Sequence, residues 1–197
     1  MRNTNKLVRG IGVKGMDYPV QSNGKGTREY ALWSSMLTRC TVGFQKRQPT
    51  YKGVGCTDNF KNYSFFYEWC HKQAGFLCKC TGNRYWHLDK DLLVKGNKVY
   101  GEDMCVFLPP IINNAIVTQP TAKGCELQGV YWCTDTSYFK SVLRTKERNE
   151  FNSEKEAFQA YRVAKEAVIR QIAEQYKSQL DPRAYQALLN YTVEITD

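Results

Sequence analysis

The chain has 197 residues, 42% hydrophobic and 13% aromatic, a composition that buries a core rather than staying unfolded. Lys and Arg outnumber Asp and Glu by 28 to 19, and the resulting +9 favours polyanionic partners, nucleic acid first among them. No run of about 18 apolar residues occurs, which excludes a membrane-spanning helix; "MRNTNKLVRG" lacks the apolar stretch of a secretory signal, so the expected compartment is the cytoplasm.

In chain order, residues 1–27, with "VRGIGVKGMDYPVQSNGKGT", read as an irregular or short-stranded N-terminal segment. Its "RGIGVKG" is not set between a strand and a helix as a nucleotide-binding loop requires. "REYALWSSMLTRC" then puts Tyr30, Trp33, Met36, Leu37 and Cys40 at helical spacing. "YKGVGC" predicts a short strand. Asn62 is placed to cap a helix over "YSFFYEWCHKQ", with Phe65, Phe66 and Trp69 on one side and Gly75 as its stop. "WHLDKDLLV" and "VY…CVFL" predict strands around a Gly96-Asn97 turn. Pro109 and Pro110 mark a helix start, so the stretch 86–116 reads as strand, turn, strand, helix.

"VTQPTAKGCELQ" reads as a linker, assigned to 119–126. Beyond it, "GVYW", "SYFKSVLRT" and "RNEFN" predict three short strands. In the middle one Tyr138, Lys140 and Val142 share one face, and Phe139, Ser141 and Leu143 the other. Ser153 and Glu156 have capping-box spacing. The helix they open carries Phe158, Tyr161, Val168, Ile172 and Tyr176 as an apolar stripe. Asp181-Pro182 opens a last helix with Tyr185, Leu188 and Leu189 inward.

Eight cysteines in a chain without a secretory signal point to free thiols or metal ligands rather than disulfides. Cys70, His71, Cys78 and Cys80 form a soft-ligand cluster that would suit Zn2+. Their C-x7-C-x-C spacing is not the paired knuckle of structural zinc sites, and free thiols are the competing reading.

Two resemblances follow from specific strings. "YALWSSMLTRC…PTYKGVGC…FFYEW…HLDKDLLVKGNKVYGEDMCVFLPPIIN" resembles HNH-like proteins carried by bacteriophages and usually described as homing endonucleases. "GVYW…YFKSVLRTKERNEFNSEKEAFQAYRVAKE" resembles the APETALA/ethylene-response type of DNA-binding domain. Together they run from about Asp17 to about Tyr176. The first implies a ββα finger holding Mg2+ or another divalent metal through Asp89 and Asn113, with Asn97 in the loop position. Lys90 stands where such a finger has a histidine as general base. An ordinary lysine is protonated at neutral pH, so it serves as a base only if strongly perturbed; it could instead stabilise charge on the phosphate. His87 lies on the same side of a regular strand as Asp89 and is an alternative base, or a structural histidine. Asp91 would continue that alternation. Asn97 is equally explained as a turn former. The second resemblance implies a three-stranded sheet lying in the major groove of double-stranded DNA. Its contact candidates are Trp132, Tyr138, Lys140, Arg144, Lys146 and Arg148. "RNEFNSE" lacks the glycine that the family usually places before its sheet-to-helix turn.

The expected architecture is therefore α+β. A helical module with a degenerate ββα finger spans 28–118. After the linker, 127–197 forms a three-stranded antiparallel sheet on a long helix with a helical extension. The expected function is sequence-selective DNA binding with metal-dependent endonuclease activity. A nuclease-inactive DNA-binding regulator or host-takeover protein on the same scaffold is the alternative. No Ser-His-Asp set or phosphate-cradling loop suggests a small-molecule substrate.

Overall fold

The computed structural model describes residues 7–118, 121–143 and 149–195. By packing, the chain divides into one unit of Met1–Pro109 with Gln179–Asp181 and another of Pro110–Ser178 with Pro182–Asp197. Both mix helices with very short strand pairs, so the class is α+β.

The first unit opens with the hairpin β1 (Gln21–Ser22) and β2 (Lys25–Gly26). Helix α1 (Arg28–Arg39) starts where Thr27 accepts the N–H of Tyr30, and it buries Trp33, Met36 and Leu37 as its spacing predicts. α2 (Val42–Arg47) and a 3-10 turn at Pro49–Tyr51 lead to β3 (Gly55–Cys56) and α3 (Asp58–Lys61). Asn62 caps α4 (Tyr63–Lys72) by accepting from Ser64 and Phe65 N–H. The buried side of α4 is Tyr63, Phe66, Trp69 and Cys70, whereas Phe65 is 36% exposed. The expected stripe was thus one residue out at its start: Tyr63 and Phe66, three apart, lie over one another, and Phe65 falls outside them.

Trp33, Phe60, Tyr63, Phe66, Trp69 and Phe107 make the core, each ring stabilising the fold by about 1.5–3 kcal/mol through burial. A hairpin of β4 (Lys79–Cys80) and β5 (Arg84–Tyr85) feeds β6 (His87–Asp89). β7 (Val99–Tyr100) runs parallel to β3, and β8 (Val106–Leu108) pairs antiparallel with β6, His87 opposite Leu108 and Asp89 opposite Val106.

The second unit begins with α5 (Pro110–Ala115), at the proline predicted to start it. α5 was expected to close the 28–118 module. It instead packs on α6 (Glu154–Tyr176), because Lys165 Nζ donates to Val117 O at 2.8 Å and Tyr191 hydroxyl to Ile116 O at 3.0 Å. Of the stretch expected as a linker, residues 121–126 lie inside the second unit. Thr121 bridges Gln128, Glu154 Oε1 accepts the N–H groups of Glu126 and Leu127 at 2.6 and 2.5 Å, and Gln128 is buried.

β9 (Val130–Cys133) and β10 (Tyr138–Ser141) form an antiparallel pair over α6, whose start Ser153 caps by accepting from Glu156 N–H. Of the expected third strand, the described residues contain one bridge, Phe139 with Phe151. Val130, Ala157, Phe158, Tyr161 and Val193 form this unit's core. On α6, Val168 is 42% exposed and Ile169 is buried in its place: a stripe that continues from Phe158 and Tyr161 through Lys165 reaches Ile169 and Ile172 by steps of three and four. α7 (Pro182–Leu189) buries Ala184 and Leu188.

Candidate functional site

β6 ends at Asp89 because the carboxylate folds the chain there: Oδ1 accepts from Asp91 N at 3.0 Å and Leu92 N at 2.8 Å. The alternation expected to carry Asp91 alongside Asp89 therefore stops. Asp91 turns to the surface, and Lys90 turns in, 6% exposed. Lys90 Nζ donates to Asn97 O at 3.0 Å, pairs with the Asp91 carboxylate and lies 5.7 Å from the Tyr100 ring centroid. In return, Asn97 Nδ2 donates to Lys90 O at 2.7 Å and Val99 O at 2.8 Å, while its Oδ1 accepts from Val99 N at 2.9 Å. The left-handed turn residue is Gly96, with φ +76°, rather than Asn97.

Lys90 and Asn97 thus clasp one loop from its two ends. Lys90 Nζ spends its donors on the Asn97 carbonyl and the Asp91 carboxylate, within the loop itself. Among the described residues, the three hydrogen bonds of the Asn97 side chain all go to backbone and none to a side chain that it could orient. His87 sits exposed at the start of β6, on the same side as Asp89. Burial, and then repulsion from Asp91, raise the Asp89 carboxyl above the ordinary aspartate range. Asn113 is half-buried on α5, in the second unit.

Metal fit depends on the metal. Mg2+ taken up with nucleic acid needs only one or two protein carboxylates, the rest of its shell coming from water and phosphate; Asp89, whose Oδ1 already accepts two backbone N–H groups, is the carboxylate that would have to serve. Zn2+ wants four protein ligands. Cys70 is buried in α4 with its thiol pushed up by desolvation, His71 Nε2 is 3.0 Å from Glu29 Oε1, and Cys80 Sγ donates to Arg84 O at 3.3 Å. Among the described residues no three His, Cys, Asp or Glu side chains converge into a metal-holding group.

The thiols differ sharply. The neighbouring Cys40 and Cys56 thiols act on each other, which raises Cys40 and lowers Cys56; Thr136 beside it lowers Cys133; burial pushes Cys105 up to about 12. Iodoacetamide at pH 8 should therefore label Cys56 and Cys133 first and Cys70 and Cys105 last, read by mass spectrometry of timed samples. Uniform labelling rates in the folded protein would contradict this order.

In the second unit, the β9–β10 register decides which side chains face outward. Val130 and Phe139 pack toward α6, and Trp132 lies directly across from Phe139, ring centroids 4.9 Å apart. Trp132, expected beside Tyr138 and Lys140, thus belongs to the opposite face. Tyr131, across from Lys140 and 36% exposed, takes its place. The signal was available only through register, since adjacent residues of a strand point to opposite faces. Lys140 Nζ is 3.2 Å from Glu150 Oε1, a carboxylate that a phosphate would have to displace. Arg144, Lys146 and Arg148 lie outside the described residues.

No protein-family model, curated protein or solved structure gives a significant match to the chain.

Proposed function

We propose that this protein binds double-stranded DNA, using the face of β9 and β10 turned away from α6. The supporting observation is the register that groups Tyr131, Tyr138 and Lys140 on one face while Val130 and Phe139 pack toward the helix. The net charge of +9 supplies the long-range attraction, and the chain continues directly into Arg144, Lys146 and Arg148. Aromatic and basic side chains on a two-stranded ribbon suit a groove wide enough for β-structure. The resemblance of this segment to APETALA-type domains agrees with such a role.

Divalent-metal-dependent phosphodiester cleavage is a second reading, favoured by His87 and Asp89 on one side of β6. Asp89 would hold the ion, which supplies charge stabilisation at the scissile phosphate. His87, exposed and unburdened by the loop clasp, would accept a proton from water; Lys90 and Asn97 would keep the loop in shape. Without cleavage, the same finger serves as scaffold for a DNA-binding regulator.

The two readings separate experimentally. Anisotropy of a labelled duplex should show affinity falling with salt, with a log–log slope of about −0.9 for each phosphate contacted. Lys140→Gln and Tyr131→Ala should weaken it. Affinity indifferent to salt would remove the DNA reading. For cleavage, supercoiled plasmid with Mg2+ or Mn2+ is the assay, and Asp89→Asn is the informative variant. It keeps an oxygen for the Asp91 and Leu92 N–H groups and relieves the burial of charge. The sign is clear: a carboxyl raised on folding weakens the fold as pH climbs through its titration, so the amide should be as stable as wild type, or more so, at pH 7. A folded Asp89→Asn protein that nicks as fast as wild type, or a wild type that leaves plasmid intact, ends the cleavage reading and spares the binding one.

A further inference from the structure

We infer that the β4–β5 hairpin of the first unit is a second grip on duplex DNA, with Lys79 and Arg84 contacting the sugar–phosphate backbone. This rests on the DNA-binding reading and adds to it a site that neither resemblance nominates. From Trp69 to Leu88 the chain contains no Asp or Glu, yet it carries Lys72, Lys79 and Arg84 together with His71 and His87. Lys79 and Arg84 flank the hairpin on its two strands, both exposed, and among the described residues neither forms an ion pair with a carboxylate. Their charge is therefore available to an external anion without first displacing a carboxylate, as Lys140 must with Glu150.

The ribbon is also held still, which a grip requires. Lys79 pairs with Tyr85 and Cys80 with Arg84 across the strands, and Trp86 N extends the ladder to Cys78 O at 3.3 Å. Beneath it, the Arg28 guanidinium donates to Phe76 O and, at 3.2 Å, to Trp86 O, bracketing the hairpin at both ends. The same guanidinium stacks 4.2 Å from the Phe76 ring centroid and 4.0 Å from that of Tyr85, and Lys79 Nζ lies 4.5 Å from the Tyr85 ring. At the tip, Gly82 and Asn83 adopt φ of +82° and +61°, leaving Thr81 and Asn83 exposed with hydrogen-bonding side chains. A two-stranded ribbon with polar tip and basic flanks matches duplex DNA, whose major groove admits such a ribbon between two rails of phosphate. An acidic peptide would use the charge but not that shape.

The test is a salt titration of full-length protein on a fluorescein-labelled random duplex. The double variant Lys79→Gln/Arg84→Gln is compared with a control that removes the same charge elsewhere, Lys46→Gln/Lys52→Gln, also at exposed positions. Exposed substitutions of this kind should leave melting temperature nearly unchanged. We expect the hairpin variant to lower the log–log slope by about 1.8 and affinity at 0.1 M salt by roughly ten- to a hundredfold, with the control unchanged. Equal losses in both variants mean a diffuse field and overturn the hairpin site. Unchanged binding in the hairpin variant overturns it while leaving DNA binding intact. A slope reduced on single-stranded RNA but not on duplex DNA overturns it in favour of an RNA contact. A wild type that binds no duplex removes both the hairpin site and the reading beneath it.

Discussion

Asn97→Asp is expected to destabilise the first unit by about 3 kcal/mol, because it removes both Nδ2 donors and aims a carboxylate at the carbonyls of Lys90 and Val99. The bond from Val99 N to Oδ1 survives, so the loss combines the two missing donors with the repulsion of the new charge. In a protein of this size that cost corresponds to a Tm decrease of roughly 6–12 °C, measurable by a thermal melt or urea titration. Two half-buried carbonyls would lose their partners at once, and the clasp on Lys90 would loosen with them. A residue whose task was to orient a catalytic side chain would behave differently, losing rate and leaving stability within about 0.5 kcal/mol of wild type. That second outcome would overturn the assignment of Asn97 as a clasp.

Gly75→Ala should also be damaging, by about 2–5 kcal/mol, since backbone strain and a steric clash add. Gly75 has φ +82°, and a Cβ there would meet Trp86 Cε3 at 2.3 Å and Phe107 Cβ at 3.2 Å. Trp86 is 2% exposed and Phe107 is fully buried, so neither ring nor strand has room to retreat. Gly96→Ala provides the comparison: its φ is +76°, but nothing lies within 4 Å of the added carbon. The difference between the two variants therefore measures the clash alone, expected at about 1–3 kcal/mol. Equal costs would mean that Trp86 does not pack over Gly75 in solution. Because Gly75 carries the chain from α4 toward the β4–β5 hairpin, the same substitution should reduce the near-UV circular dichroism of the buried tryptophan.

Helix starts and helix stripes were legible in the sequence because their physics is local. Asn62 and Ser153 each cap from within three residues, and Pro110 starts α5 where its missing N–H does no harm. Trp33, Met36 and Leu37 needed only the helical repeat to be placed inward. The loop was legible as a turn around Gly96, where Lys90 and Asn97 bond to one another. What each side chain does there was not legible. Whether Lys90 points in or out depends on where β6 stops, and that is decided by two bonds to Asp89 Oδ1 that a strand pattern does not contain.

By itself, then, the sequence determined helices α1, α4, α5, α6 and α7, the caps at Asn62 and Ser153, the α+β class and an excess of positive charge; all of these follow from spacing, composition and contacts within a turn of chain. Tertiary structure alone decided that Tyr131 rather than Trp132 stands beside Lys140, that α5 packs on α6, and that Arg28 reaches across to bracket the β4–β5 hairpin. The reason is physical. Sheet faces invert with a one-residue change of register, and long-range partners are chosen by which surfaces can be buried together, so neither is encoded in any single short stretch of chain.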